Sequence, residues 1–127
     1  MDRVRIVSFT ENGYQLFCRM RKVIGDRAAV TGYSGRSQVA ETHPDIYPVT
    51  EVLQAWCETV FEQSEVLIFI GACGIAVRTI APFLDSKYTD PAVLVADEHG
   101  GHVISLLSGH LGGANAWTQF LAEGLQA

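Results

Sequence analysis

Apolar and polar positions along this chain switch repeatedly between a strand period and a helix period. Residues 4–9 (V-R-I-V-S-F) are mostly apolar and read as a first strand, and Thr10 stands where a helix N-cap belongs. Leu16, Phe17, Met20 and Ile24 then recur at helical spacing, and Gly25 supplies the stop. Residues 28–31 read as a short second strand, followed by a polar, turn-rich loop over 32–48 in which Ser34, Gly35 and Arg36 are exposed. Thr50 opens a second helix, whose stripe of Val52, Leu53, Trp56, Cys57, Val60 and Phe61 is core. Residues 65–70 are nearly all apolar, as expected of a central strand covered on both faces. A glycine-rich turn at 71–74 leads into a short helix that Pro82 ends near Ile80. Ala92–Ala96 and Val103–Leu107 are two further apolar strands, separated by the hairpin-turn composition of 97–101. The last helix starts near Leu111 and buries Ala114, Trp117, Phe120, Leu121 and Leu125.

This order predicts one α/β domain spanning 1–127. Its three α/β/α layers enclose a mixed, mostly parallel sheet of about five strands, with a β-hairpin before the last helix. The direction of the hairpin matters for function. An ordinary β-α-β crossover makes Ala92–Ala96 parallel to 65–70 and sends the two glycine-rich turns to opposite rims. Because Pro82 shortens the intervening helix, 83–90 has the length to carry the chain back up. The expectation is therefore that Val103–Leu107, not Ala92–Ala96, runs parallel to 65–70 and that all candidate segments share one rim.

Composition narrows the function classes. With 48% hydrophobic and 18% charged residues, the 127-residue chain has a globular composition. A formal net charge of −5 argues against a nucleic-acid partner, which needs a basic face. No apolar run reaches the length of a membrane span and no signal-peptide pattern opens the chain, so a cytoplasmic location with no membrane partner is expected. Cys18, Cys57 and Cys73 are too few and too scattered for a disulfide framework or zinc spacing, and read as reduced thiols.

Two segments concentrate glycine where a buried strand meets a helix. Around Gly71 and Gly74 the backbone turns sharply, and the following helix start offers free N–H groups to an anion, with Arg78 one turn inside for a bidentate contact. The segment is neither a P-loop nor a dinucleotide fingerprint, so a ligand loop and a plain tight turn both stand. The second segment carries Gly109, Gly112 and Gly113 and adds Ser108, His110 and Asn115. Glycines inside a first helical turn cost about 1 kcal/mol each relative to alanine, which close packing or close approach of a ligand repays. His110 is the candidate general base, against a capping role. Ser108 reads as an N-cap or substrate hydrogen-bonder before a nucleophile, since the nucleophile-elbow pattern is missing. Asp90 precedes a proline, where a turn former is common. It also stands where hairpin pairing would set it beside Ser108 and His110. Cys73 reads as a bystander, and His99 with His102 as an exposed turn before half a metal site.

Three blocks carry a resemblance: G-A-C-G-I-A-V-R-T-I-A-P at 71–82, T-D-P-A-V at 89–93 and I-S-L-L-S-G-H-L-G-G-A-N at 104–115. In order, spacing and context they resemble the N-terminal domain of the CbiG family, the cobalamin biosynthesis hydrolases acting on cobalt-precorrin-5A. The likeness is close over about 65–127 and general over 1–64. It implies a place in the anaerobic pathway to cobalamin (vitamin B12), with hydrolytic opening of the ring-A δ-lactone and release of acetaldehyde. Cobalt arrives inside the substrate, so no metal or organic cofactor of the protein is implied. Members of the family are usually longer and carry a C-terminal CobE-like domain that is absent from this chain. That region, as a domain or a separate protein, is the expected partner. A non-catalytic tetrapyrrole-binding module of the same pathway is the alternative. Chemistry then suggests His110 as base and Asp90 as its orienter. Ser108 and the amides at 109–113 would supply oxyanion donors, and Gly71, Gly74, Arg78 and Asn115 would bind the substrate.

Overall fold

Two runs without a polar interruption become the middle of the sheet. β4 (Val66–Ile70) and β5 (Ala92–Ala96) are buried at every position, as strands covered on both faces must be. The computed structural model describes residues 2–108 and 113–127; expectations that fall on Met1 or on residues 109–112 lie outside them. The other elements are β1 (Asp2–Ser8), α1 (Glu11–Ile24), β2 (Ala28–Ser34), α2 (Ser37–Thr42), β3 (Tyr47–Pro48), α3 (Leu53–Val60), α4 (Cys73–Ile80), β6 (Val103–Leu107) and α5 (Ala114–Leu125). The strands pair in the order β3-β2-β1-β4-β5-β6, parallel throughout except for the antiparallel β5–β6 pair. The layered, mostly parallel architecture expected from the pattern is present, with six strands.

Side chains alternate across the sheet and build two cores. Val4, Ile6, Val66, Ile68, Ile70 and Leu94 face α1 and α5. Val7, Leu67, Phe69, Val93 and Val95 face α3 and α4. α1 begins as its sequence specifies: Thr10 accepts the Gly13 N–H at 2.9 Å, and Gly25, at φ 56°, ends the helix by donating to the Arg21 carbonyl. Cys57 is fully buried, and burial alone pushes its thiol up to about 12, which suits a structural cysteine.

The stretch expected to be a loop over 32–48 contains the rest of β2, all of α2 and the two-residue β3. Glycine at position 32 reads as a turn former, yet here it is a strand residue whose missing side chain makes room for packing. A Cβ on Gly32 would collide with the Phe17 ring and lie 2.8 Å from Ile46 Cγ2. A polar cluster fastens this segment to α1. Tyr14 Oη donates to Asp45 at 2.9 Å, and Arg21 pairs with the same carboxylate at 2.9 Å. His43 stacks on Tyr14 with centroids 3.6 Å apart and reaches Glu11 at 2.8 Å.

One expectation is overturned. β5, not β6, runs parallel to β4, with Val66 opposite Ala92 and Ile70 opposite Ala96; β6 returns antiparallel at the sheet edge. The reason is length. An eight-residue helix spans about 12 Å and a 3₁₀ turn adds about 6 Å, together matching a five-residue strand of about 17 Å. With α4 followed by the 3₁₀ turn Ala81–Phe83, the chain has come back down the sheet before Leu84. Pro82 does not prevent the return; it sits inside that turn.

Partial burial raises the Asp45 carboxyl pKa, but the hydrogen bonds from Tyr14 and Arg21 outweigh it and hold the value below the ordinary range. A depressed folded-state pKa adds stability that is complete above the unfolded value of about 3.9 and fades as pH falls through the folded one. Asp45→Asn should therefore lower the melting temperature at pH 7 and narrow its gap to the parent below pH ~4. Equal melting curves at pH 7 would show that the cluster does not anchor the segment.

Candidate functional site

The parallel β4–β5 pairing divides the candidate residues between two rims. At the N-terminal ends of β4 and β5, where β6 also finishes, Ser108 and Asp90 meet. Ser108 Oγ donates to the Asp90 carbonyl across 3.4 Å, a long hydrogen bond. The Asp90 carboxylate is used locally, accepting the Asp85 N–H at 3.1 Å and 3.2 Å. Ser108 has φ 62°, a left-handed backbone that costs a serine about 1–3 kcal/mol. Gly113 follows at φ 83°, where the missing Cβ makes the conformation inexpensive. The Ala114 N–H donates to the Ser108 carbonyl at 3.1 Å and closes the base of the segment between them. Gly109, His110 and Gly112 belong to that segment and lie outside the described residues. Asn115 is exposed on the first turn of α5.

A polar cavity of about 290 Å³ opens beside Asp90, lined in part by Asp2, Glu65, Thr89, Asp90, Pro91 and Trp117. A second, of about 270 Å³, shares Thr89, Asp90 and Pro91 and adds Phe61, Phe83 and Asp85. Glu65 is held by Arg3, through a guanidinium contact of 2.9 Å and the Arg3 backbone N–H at 2.9 Å, and these bonds keep its pKa below the usual range. Sequence reasoning missed Trp117, Glu65 and Asp2 as neighbours of Asp90. Trp117 follows helical spacing and reads as core, whereas only one side of it packs there. Nothing local marks Glu65 or Asp2, which arrive through sheet register.

Gly71, Gly74 and Arg78 stand at or below the opposite rim. β1 and β4 are adjacent although the chain leaves them in different directions, so their carboxyl ends form the topological switch point of the sheet. There the N–H groups of Cys73, Gly74 and Ile75 open α4 without a side-chain cap, and this turn is exposed. The ring of Phe9 sits over the same edge. A Cβ on Gly35 would lie 2.5 Å from it, and one on Gly71 3.3 Å, so both glycines make way for this ring. Thr10 Oγ1 donates to Glu98 at 2.6 Å and fastens the hairpin turn to the start of α1, a contact the sequence does not signal. Arg78 is exposed on the second turn of α4, where its carbonyl accepts Gln54 Nε2 at 3.1 Å.

The expected single site is therefore corrected. Asp90 and Ser108 come together, while Gly71, Gly74 and Arg78 are separated from them by the height of the sheet, because β6 and not β5 is the reversed strand. Among the described residues, no three His, Cys, Asp or Glu side chains are grouped to hold a metal ion. His102 and His99 lie exposed beside Asp97 and Glu98 at 3.8 Å and 4.0 Å. No helix among the described residues is long and apolar enough to cross a membrane.

Backbone strain at Ser108 has a direct test. Ser108→Gly should unfold at higher denaturant than Ser108→Ala, by about 1 kcal/mol, because only glycine adopts this φ without cost. Equal midpoints for the two variants would remove the strain from the account.

Comparisons with known proteins agree on one family. The cobalamin synthesis G N-terminal family model matches residues 55–127. A cobalt-precorrin-5A hydrolase from Salmonella typhimurium is 67% identical over 61 residues, covering 48% of this chain and 17% of the relative. Another from Priestia megaterium is 35% identical over 122 residues, covering 96% of this chain and 32% of the relative. The chain thus spans a third or less of the length of these curated relatives. The crystal structure of a cobalamin biosynthesis protein G homolog from Sulfolobus solfataricus superposes with a TM-score of 0.74 at 24% identity, over 98% of this chain and 34% of that one. That likeness bears on the fold, and it agrees with the layered sheet described above. With more than half of its length matched by the family model, the chain belongs to the cobalamin synthesis G N-terminal family.

Proposed function

We propose that this chain acts as the N-terminal part of a cobalt-precorrin-5A hydrolase in anaerobic cobalamin biosynthesis, and that its chemistry belongs to the rim where Asp90 meets Ser108. The observation that carries the reading is that convergence. Two of the three family-like blocks meet beside a polar cavity through a strained serine. Strain of this kind persists where the surroundings enforce it, and such places are often functional.

Opening a lactone needs an activated water and donors for the developing oxyanion. Water adds to the acyl carbon, the acyl C–O bond breaks, and the acyl group becomes a carboxylate. The released alkoxide becomes the carbonyl of acetaldehyde as its carbon leaves the macrocycle, and that bonding pair passes into the conjugated ring. His110 is the proposed base that takes the proton from water. Ser108 Oγ and backbone amides of the segment after it are the proposed oxyanion donors, and Asp90 is the proposed positioning group. Cobalt enters with the substrate, and no separate cofactor is invoked.

Each curated relative is about three times or more the length matched here, so the remaining region is the proposed partner, completing the cleft in the same chain or as a separate CobE-like protein. Gly71, Gly74 and Arg78 then serve a different contact from the one at Asp90: an anion on the far rim, or the partner itself. The acidic balance and the lack of a long apolar helix among the described residues suit a cytoplasmic protein with no nucleic-acid partner.

The test incubates the chain with cobalt-precorrin-5A, with and without the remaining region of a full-length relative, and measures acetaldehyde. Release is expected when both parts are present, and His110→Ala should lower turnover by about 10²–10⁴-fold. A loss under tenfold would reject His110 as the base. Binding without any release in the completed assembly would favour the non-catalytic tetrapyrrole-binding module.

A further inference from the structure

Trp117 separates two concavities on the Asp90 rim. One is the polar cavity described above. The other, of about 240 Å³, is an open and almost wholly apolar groove lined by Arg27, Ala116, Trp117 and Phe120. Its floor is an aromatic pair: the Trp117 and Phe120 rings stand nearly perpendicular, at 87°, with centroids 5.7 Å apart. The Arg27 guanidinium lies over the Phe120 ring, 4.7 Å from its centroid. Arg27 is exposed in the 3₁₀ turn Gly25–Arg27 and has no ion-pair partner among the described residues. A helix that served only the core would bury both rings. Here each is packed on one side and left open on the other.

Resting on the reading above, we propose that this groove is the seat of the substrate. The conjugated face of a flat macrocycle stacks on Trp117 and meets Phe120 edge-on, one peripheral carboxylate pairs with Arg27, and the lactone edge turns toward Asp90 and Ser108. Aromatic faces and a guanidinium on one platform suit a conjugated ring carrying acidic side groups. Charge sets the orientation. The cavity beyond Trp117 is lined by Asp2, Glu62 and Asp90, which repel free carboxylates, and by Glu65, whose charge Arg3 already meets. A lactone is a neutral ester, so its edge is the part of such a molecule that an acidic wall tolerates. The acid-bearing edge falls to Arg27. Hydrolysis then creates a carboxylate against that wall, and repulsion favours departure of the product. The groove holds an edge of the ring and leaves the rest of it for the remaining region of the longer family members to cover.

The experiment titrates the purified chain with uroporphyrin III, a flat tetrapyrrole bearing acetate and propionate groups. Trp56 and Trp117 are the two tryptophans, and the buried Trp56 indole N–H has no hydrogen-bond partner among the described residues, so Trp56→Phe leaves Trp117 as the sole reporter. Saturable quenching of Trp117 is expected. Arg27→Glu should weaken binding at least tenfold. Trp117→Leu, followed by porphyrin anisotropy, should do the same. Arg27 is exposed, so its variant folds even if Trp117→Leu does not. No quenching, or affinities within twofold for the Arg27 variant, would overturn the seat. So would loss of binding in Gly74→Asp with Arg27→Glu unaffected, which moves the ring to the other rim. The two readings fail separately. In the completed assembly, acetaldehyde release by Arg27→Glu with unchanged KM sinks the groove and spares the hydrolase. Arg27-dependent binding without release sinks the hydrolase and spares the groove.

Discussion

Side-by-side parallel pairing of β4 with β5 is the constraint from which the rest of this molecule follows. Both strands are buried at all five positions, so neither tolerates an edge, and each needs a neighbour on either side. α4 is long enough to bring the chain back along the sheet before β5 begins, which makes the pairing parallel. β6 is then left to reverse and to close the edge, and α5 must start from the end of the sheet opposite the first glycine turn.

The two rims consequently differ in chemistry. At the C-terminal rim the start of α4 presents amides without a side-chain cap, but Phe9 covers the switch point and Thr10 ties Glu98 down beside it. At the N-terminal rim the backbone is strained at Ser108, cavities open around Asp90, and an aromatic platform carries an exposed guanidinium. An acidic rim looks unsuited to an acidic substrate. The objection weakens once neutral and charged edges of such a molecule are considered separately, because the carboxylates lie on one side of Trp117 and Arg27 on the other.

Sequence legibility varied along the chain for identifiable reasons. Thr10 and Gly25 bracket α1 as their types require, since capping chemistry acts within a few residues. The buried strands were legible because a run of β-branched and aliphatic residues has few other uses. Gly32 misled because glycine has two meanings, a turn or a close approach, and only the Phe17 ring packed against it distinguishes them. The cluster of Tyr14, Arg21, His43 and Asp45 joins α1 to a segment some twenty residues later, and no local pattern announces such a contact. For the candidate site, Asp90 and Ser108 were legible as a pair through hairpin pairing. Trp117 was read as core from its spacing, although the spacing says only which side of a helix a residue occupies, not how far the neighbouring layer extends.

By itself, then, the sequence determined most elements outside 32–48, their layers, the family and the pairing of Asp90 with Ser108. Each of these rests on local periodicity, on capping chemistry or on ordered motifs. Tertiary structure alone decided which strand reverses, and with it that the glycine-rich segments part to opposite rims and that Trp117 comes to stand between Arg27 and Asp90. The physical reason is that strand direction depends on matching the length of a return path to the height of a sheet. That quantity belongs to the assembled layers and is written in no single segment.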